Sequence, residues 1–149
     1  MSFDEFLLQF GIKEKVEVKQ IYRSFFRVRD ESYLAHRPVW VDECLAHIRN
    51  GKIVPSVDFL QWVSKRARRW ARVGAKAEWL FICGRDLKSS SIEDHNNPSS
   101  GDFVVILNDR RECLGYGVAS GPLSDGKLTI RRVFDIGDLL RRERKRRKV

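Results

Sequence analysis

The residues best equipped to do chemistry in this chain are cations, and they are unevenly spread. Between Lys65 and Lys76 stand six basic residues (Lys65, Arg66, Arg68, Arg69, Arg72 and Lys76) and no acid. Arg141 to Lys148 holds seven basic residues against one acid, Glu143. Each run carries +6 while all 149 residues sum to +9, so the rest of the chain is net acidic. Cations at this density make a local field that attracts phosphates and releases their counterions, which is the chemistry of a polyanion partner. A solvated helix face or a frayed tail would explain either run alone; two runs on an acidic body favour nucleic acid. Trp62, Trp70 and Trp79 flank the first run, and tryptophan beside arginine suits base stacking. Trp62 also falls on or beside an apolar helical stripe, which favours a core role, and Trp70 suits either stacking or an interdomain contact.

Little is arranged for covalent chemistry. His36, His47 and His95 are isolated in sequence, no serine or cysteine sits in a nucleophile-elbow context, and no GxxxxGK[ST] loop is present. Gly115-Tyr116-Gly117 lacks the third glycine and following helix of a dinucleotide site. Cys44, Cys83 and Cys113 stand far apart without a CxxC pair, so reduced thiols are expected and neither disulfides nor a metal site. Cys83 and Cys113 lie in apolar stretches read as strands, where a thiol stays protonated. Acidic pairs at Asp42-Glu43 and Glu93-Asp94 read as ordinary helix-start or loop carboxylates. The expectation is a protein with no catalytic residue, cofactor or metal. No stretch reaches the roughly 20 apolar residues of a membrane helix, and Met-Ser-Phe-Asp-Glu lacks the basic start of a signal peptide. A soluble intracellular protein with no membrane partner is expected.

The elements that must hold these cations fall into two textures. Phe3, Phe6, Leu7 and Phe10 share a helical face, with Asp4 and Glu5 in the first turn and Gly11 as the stop. Val16 to Val28 reads as a strand, with Arg29-Asp30 opening a turn. Val39-Trp40 reads as a short strand, and Val41-Asp42 begins a helix carrying Leu45 and Ile48 that closes at Asn50-Gly51. Ser56 caps a further helix with Phe59, Leu60, Val63 and Ala67 on its apolar face, and the first basic run forms its last turns. Gly74 reads as the domain joint, dividing residues 1–73 from 74–149. Beyond it Glu78–Cys83 reads as a strand, although a short buried helix fits the same run. A polar loop spans 89–101, and strands follow at Phe103–Leu107, Cys113–Ala119 and Lys127–Phe134, with turns at Asn108-Asp109 and Ser124-Asp125-Gly126. Such spacing suits a small β-barrel. Asp135 is placed to cap a last helical turn running from Ile136 to Arg142.

Four segments carry a resemblance to a known family. They are Phe81-Ile82-Cys83-Gly84-Arg85-Asp86-Leu87-Lys88-Ser89, Gly101-Asp102-Phe103-Val104-Val105, Cys113-Leu114-Gly115-Tyr116-Gly117-Val118-Ala119, and Asp135-Ile136-Gly137-Asp138-Leu139-Leu140-Arg141-Arg142. Together they resemble a PUA domain, a small RNA-binding pseudobarrel. With the preceding seventy or so residues the order is similar to the Nip-seven family of ribosome-biogenesis proteins. That likeness implies an α+β chain, an N-terminal α/β pre-PUA domain followed by the PUA pseudobarrel. It also implies a non-catalytic factor that binds single-stranded RNA, with U- or AU-rich preference, during maturation of the large ribosomal subunit. The implied partners are pre-rRNA, pre-ribosomal particles and their biogenesis proteins, and the exosome, met by a monomer in the cytoplasm (the nucleolus in a eukaryote). A shorter N-terminus and a more basic tail than eukaryotic members have imply an archaeal homologue. An RNA-targeting accessory subunit of a modifying enzyme, or a protein adaptor, stays open beside it.

The family's RNA face maps to Gly84, Arg85 and Lys88 after the first PUA helix, and to Lys127, Arg131 and Arg132 on the last strand. On that strand parity favours Arg131 over Arg132 as the residue facing outward with Lys127 and Thr129. Arg141, Arg142, Arg144 and Lys145 of the tail complete the candidate set. Arg85 beside Asp86 could instead form an internal salt bridge, and Gly115 and Gly117 mark either close approach of a nucleotide or a bulge in the barrel.

Overall fold

The computed structural model describes residues 1–38, 42–120, 127–138 and 141–142. The chain divides into two compact units, Met1–Val63 and Ser64–Val149. The expected strand at Val39-Trp40, the turn at Ser124-Asp125-Gly126, and Arg144 and Lys145 lie outside the described residues.

In the first unit α1 spans Phe3–Gln9. The Ser2 side chain accepts from the Glu5 N–H, and the Glu5 carboxylate accepts from the Ser2 N–H, so two donors at the helix start are satisfied. Those hydrogen bonds hold the Glu5 carboxyl below its ordinary range. A four-stranded antiparallel sheet follows, ordered β1 (Lys19–Ile21), β2 (Ser24–Arg27), β3 (Glu43–Arg49) and β4 (Lys52–Pro55). Helix α2 is Val57–Ser64, and its Ser56 cap accepts from the Phe59 N–H at 3.2 Å. The core is aromatic: Phe3 stacks on Phe59 at 5.4 Å and meets Phe25 at 5.3 Å, and Phe6 packs edge-on to Phe10 at 5.3 Å.

Two expectations for this unit fail. Val16 to Val28 is not one strand, because Tyr22-Arg23 turns it into the β1–β2 hairpin. Residues 43–49 are strand, not helix. Asn50 and Gly51 both take positive φ (48° and 73°), the pair that a two-residue hairpin turn needs, so they join β3 to β4 and do not end a helix.

The second unit is built on a five-stranded sheet ordered β6 (Ile92–His95), β5 (Trp70–Val73), β7 (Phe103–Leu107), β8 (Cys113–Ser120) and β9 (Thr129–Asp135). β5 runs parallel to β7, and the other neighbours are antiparallel. This moves the boundary upstream of Gly74: the basic run does not finish α2 but supplies β5, a central strand with partners on both sides. Gly74 instead caps α3, Ala75–Ile82, so the apolar run there is helix and not strand. Ala77 and Phe81 of α3 join Ala71, Val73, Val104, Ile106, Leu114 and Ile130 in one buried core.

Candidate nucleic-acid interface

The site grows from the way β9 is held. On one side β9 pairs with β8, whose Gly115 and Gly117 oppose Asp135 and Arg132. A Cβ at Gly115 would collide with the Phe134 carbonyl oxygen, and one at Gly117 with the Arg131 carbonyl oxygen. The close backbone that these glycines admit is therefore β9 itself, and the barrel-bulge alternative wins over a nucleotide. On its other side β9 takes up the segment after α3. Leu87 and Ile130 exchange both backbone hydrogen bonds at 2.9 Å each. One step further along, the Asp86 carboxylate accepts the Arg132 N–H at 2.8 Å. Asp86 is thus used to tie this segment to β9, not to pair with Arg85.

This arrangement brings four of the expected cations to one sheet edge. Leu128 and Ile130 are buried while Lys127 and Arg131 are exposed, the alternation a strand imposes. Arg85 and Lys88 are exposed on the paired segment, flanking buried Leu87. Arg85, Lys88 and Arg131 form no ion pair with a described residue.

The other described candidates are engaged internally. Asp135 is fully buried and accepts from Arg132 Nη1 at 3.0 Å and from Arg141 Nη1 and Nη2 at 3.0 and 2.8 Å. A buried carboxylate demands such partners, and two guanidiniums supply them. Arg141 also donates to the Ile82 carbonyl at the end of α3, and its ion pair with Asp135 raises its own pKa further. Gly137 leaves room for this junction, since a Cβ there would strike the same Ile82 oxygen. Arg142 pairs with Asp138. Arg132, Arg141 and Arg142, all expected on the RNA face, are thereby engaged in ion pairs that hold this end of the fold together. The expected helical turn is present in its described residues, Asp138, Arg141 and Arg142, with the Arg141 N–H donating to the Gly137 carbonyl at 3.2 Å, but the Asp135 carboxylate serves the arginine cluster.

The first basic run is likewise partly spent. Arg69 bonds Asp102 at 3.3 Å and the Asn96 carbonyl at 2.9 Å, and Arg72 bridges Glu93 at 3.2 Å and Asp109 at 3.0 Å. Trp70 is half-buried under the Arg111 guanidinium, 5.6 Å from its ring centre. Trp62 stacks on Phe59 at 5.3 Å, and Trp79 stands 65% exposed.

Two details of the nucleophile inventory change. Cys83 is not in a strand but is the exposed cap residue after α3. His47 is not isolated: its Nδ1 lies 2.8 Å from Ser24 Oγ, and its Nε2 lies 3.8 Å from Cys44 Sγ. Burial pushes the Cys44 thiol up and that of Cys113 to about 12, so both stay protonated at neutral pH. Among the described residues no group of three or more His, Cys, Asp or Glu is placed to hold a metal ion, and no helix is long and apolar enough to cross a membrane.

A sheet of this order, with the segment after its first helix laid along the last strand, defines a PUA-type domain. The chain belongs to the UPF0113 PUA domain family, which matches residues 69–144, just over half of its length. PUA domains are known for binding RNA, and the four exposed cations lie within or beside the elements that define this one. A conserved PUA domain protein from Thermoplasma acidophilum is similar in structure, with a TM-score of 0.59 at 20% identity over 93% of this chain and 89% of that one. A PUA domain from Aeropyrum pernix gives a TM-score of 0.52 at 21% identity, covering 64% of this chain and 59% of that chain. This chain thus spans about three-fifths of the Aeropyrum protein. No curated protein matches it in sequence.

Proposed function

We propose that the protein is a non-catalytic RNA-binding accessory factor of large-subunit ribosome biogenesis, holding single-stranded pre-rRNA along the β9 edge. The observation that carries this reading is the Leu87–Ile130 pairing, which lays the segment bearing exposed Arg85 and Lys88 along the strand that bears exposed Arg131, with exposed Lys127 just before it. Phosphate attraction needs charge in a row more than exact geometry, and the exposed cations along one edge provide it. The mechanism is occupancy: the factor shields or presents an RNA segment, alone or while contacting pre-ribosomal proteins or the exosome, as a cytoplasmic protein of archaeal type. The resemblance of the four PUA segments to the Nip-seven family supports the ribosomal setting.

The test is binding of single-stranded RNA across a salt series, where log affinity falls with log salt by about −0.7 per phosphate neutralised. Arg131→Glu lowers the slope and the affinity while circular dichroism stays native. Removing residues 143–149 tests the tail without touching Arg141, which the fold requires. A wild-type protein with no salt-dependent RNA binding would refute the site. Recovery of the protein in a stoichiometric complex with an RNA-modifying enzyme, and not with ribosomal particles, would refute the biogenesis role.

A further inference from the structure

We infer that Trp79 is a base-stacking residue, so that the RNA path along β9 continues over the exposed face of α3; the inference rests on reading that edge as an RNA site. Helix α3 has two unlike faces. Ala77 and Phe81 are buried in the core, whereas Lys76, Trp79, Leu80 and Cys83 are exposed. The exposed four fall at i, i+3, i+4 and i+7, which places them on one stripe. With 65% of its surface in solvent, Trp79 contributes little to the core, so its size and aromaticity are left available to a ligand.

The stripe is continuous with the cationic edge. Lys76 and Leu80 line a groove of about 450 Å³ together with Ser90 and Ser91. The turn that presents those serines starts at exposed Lys88, whose carbonyl accepts the Ser91 N–H at 2.9 Å. At the other end of the helix, Arg85 donates its N–H to the Leu80 carbonyl at 3.1 Å. The acids nearby are engaged: Glu93 pairs with Arg72 at 3.2 Å, and Asp86 accepts the Arg132 N–H. An open indole beside cations and hydroxyls fits a single nucleic-acid strand with unstacked bases. A duplex keeps its bases paired and offers this surface phosphates alone. An apolar protein segment would bury Trp79 and Leu80 with no use for the cations.

The experiment compares oligouridylate, oligoadenylate and an RNA duplex of equal length, bound to the full chain at several salt concentrations. Trp79→Ala is expected to weaken single-strand binding by about tenfold or more, because a base–aromatic stack is lost. It should leave duplex binding and the salt slope unchanged, since stacking releases no counterions. Trp79→Phe should restore most of the affinity. Wild-type single-strand affinity in Trp79→Ala, with salt-dependent binding intact, would overturn the role of Trp79 and leave the β9 edge standing. Equal losses on single strand and duplex would overturn it too, because they would mean a lost phosphate contact. Absence of RNA binding by the wild-type chain would overturn both readings.

Discussion

Strand β5 with the residue before it, and strand β9, each carry two arginines, and the fates of these differ. On β5 the Arg72 guanidinium meets Glu93 from β6 and Asp109 from the turn after β7. Arg69, just before the strand, meets Asp102. A central strand has neighbours on both sides, and here those neighbours bring carboxylates to its polar face. β9 is the last strand of the sheet, its outer side covered, among the described residues, by a short segment that carries Arg85, Leu87 and Lys88. Arg131 lies across from Asp86 in that pairing, but the Asp86 carboxylate is turned to the Arg132 N–H, so Arg131 faces solvent with no ion pair to a described residue. One residue later, Arg132 sits beside buried Asp135 and is consumed. The availability of a charge is decided by which carboxylates are turned to meet it, and a count of charges along the chain does not show this.

The comparison breaks most sharply at Asp135. Replacing it by Asn keeps the shape but removes the carboxylate shared by Arg132 and Arg141, which are 29% and 33% exposed. Removing one partner of a buried pair costs about 3–5 kcal/mol, and the partial exposure of these arginines puts Asp135→Asn near about 3. Urea unfolding measures it. A loss below about 1 kcal/mol would mean that the arginines find solvent as good a partner, and that they belong with the outward cations.

A smaller effect is expected at Asp86, which ties the Arg85–Lys88 segment to β9 through one exposed hydrogen bond. Asp86→Ala should cost about 1 kcal/mol of stability. It should also weaken RNA binding although it removes a negative charge, because Arg85 and Lys88 lose their alignment with Arg131. Tighter RNA binding in this variant would show that net charge, and not alignment, governs the edge.

Much of this was legible in sequence. The alternation Leu128, Ile130 against Lys127, Arg131 is enough to orient β9, and the strand at 103–107 announces itself by its β-branched run, the one at 113–119 by a short apolar stretch between turns. What stayed hidden depends on partners distant in the chain. Asp135 read as a helix cap because nothing local reveals that Arg141 will also reach the end of α3. Asn50-Gly51 fits a helix stop and a hairpin turn equally until β4 is known to return along β3. Tyr22 turns the chain at a φ of 53°, a conformation in which a bulky residue is uncommon, so no local rule would choose it. The apolar run of α3 has the length of a strand, and only its seat over the sheet core decides for helix. Trp79 was visible as a tryptophan near cations, but its exposure follows from the helix, and a strand reading hides it.

The smallest effect is the most discriminating. Arg72 is about one-third exposed and holds two surface carboxylates, so Arg72→Ala should cost no more than about 1 kcal/mol. Because both acids are already satisfied by it, the side chain has no field left for phosphate, and the salt dependence of RNA binding should match wild type. The same substitution at Arg131 should leave stability within about 0.5 kcal/mol and reduce the slope by about 0.7. Measuring both variants on one RNA separates a strand whose charge is internal from one whose charge is offered outward. If Arg72→Ala lowered the slope as much as Arg131→Ala, the ion pairs on β5 would have to open for RNA. The two strands would then form one binding surface, and the contrast between them would disappear.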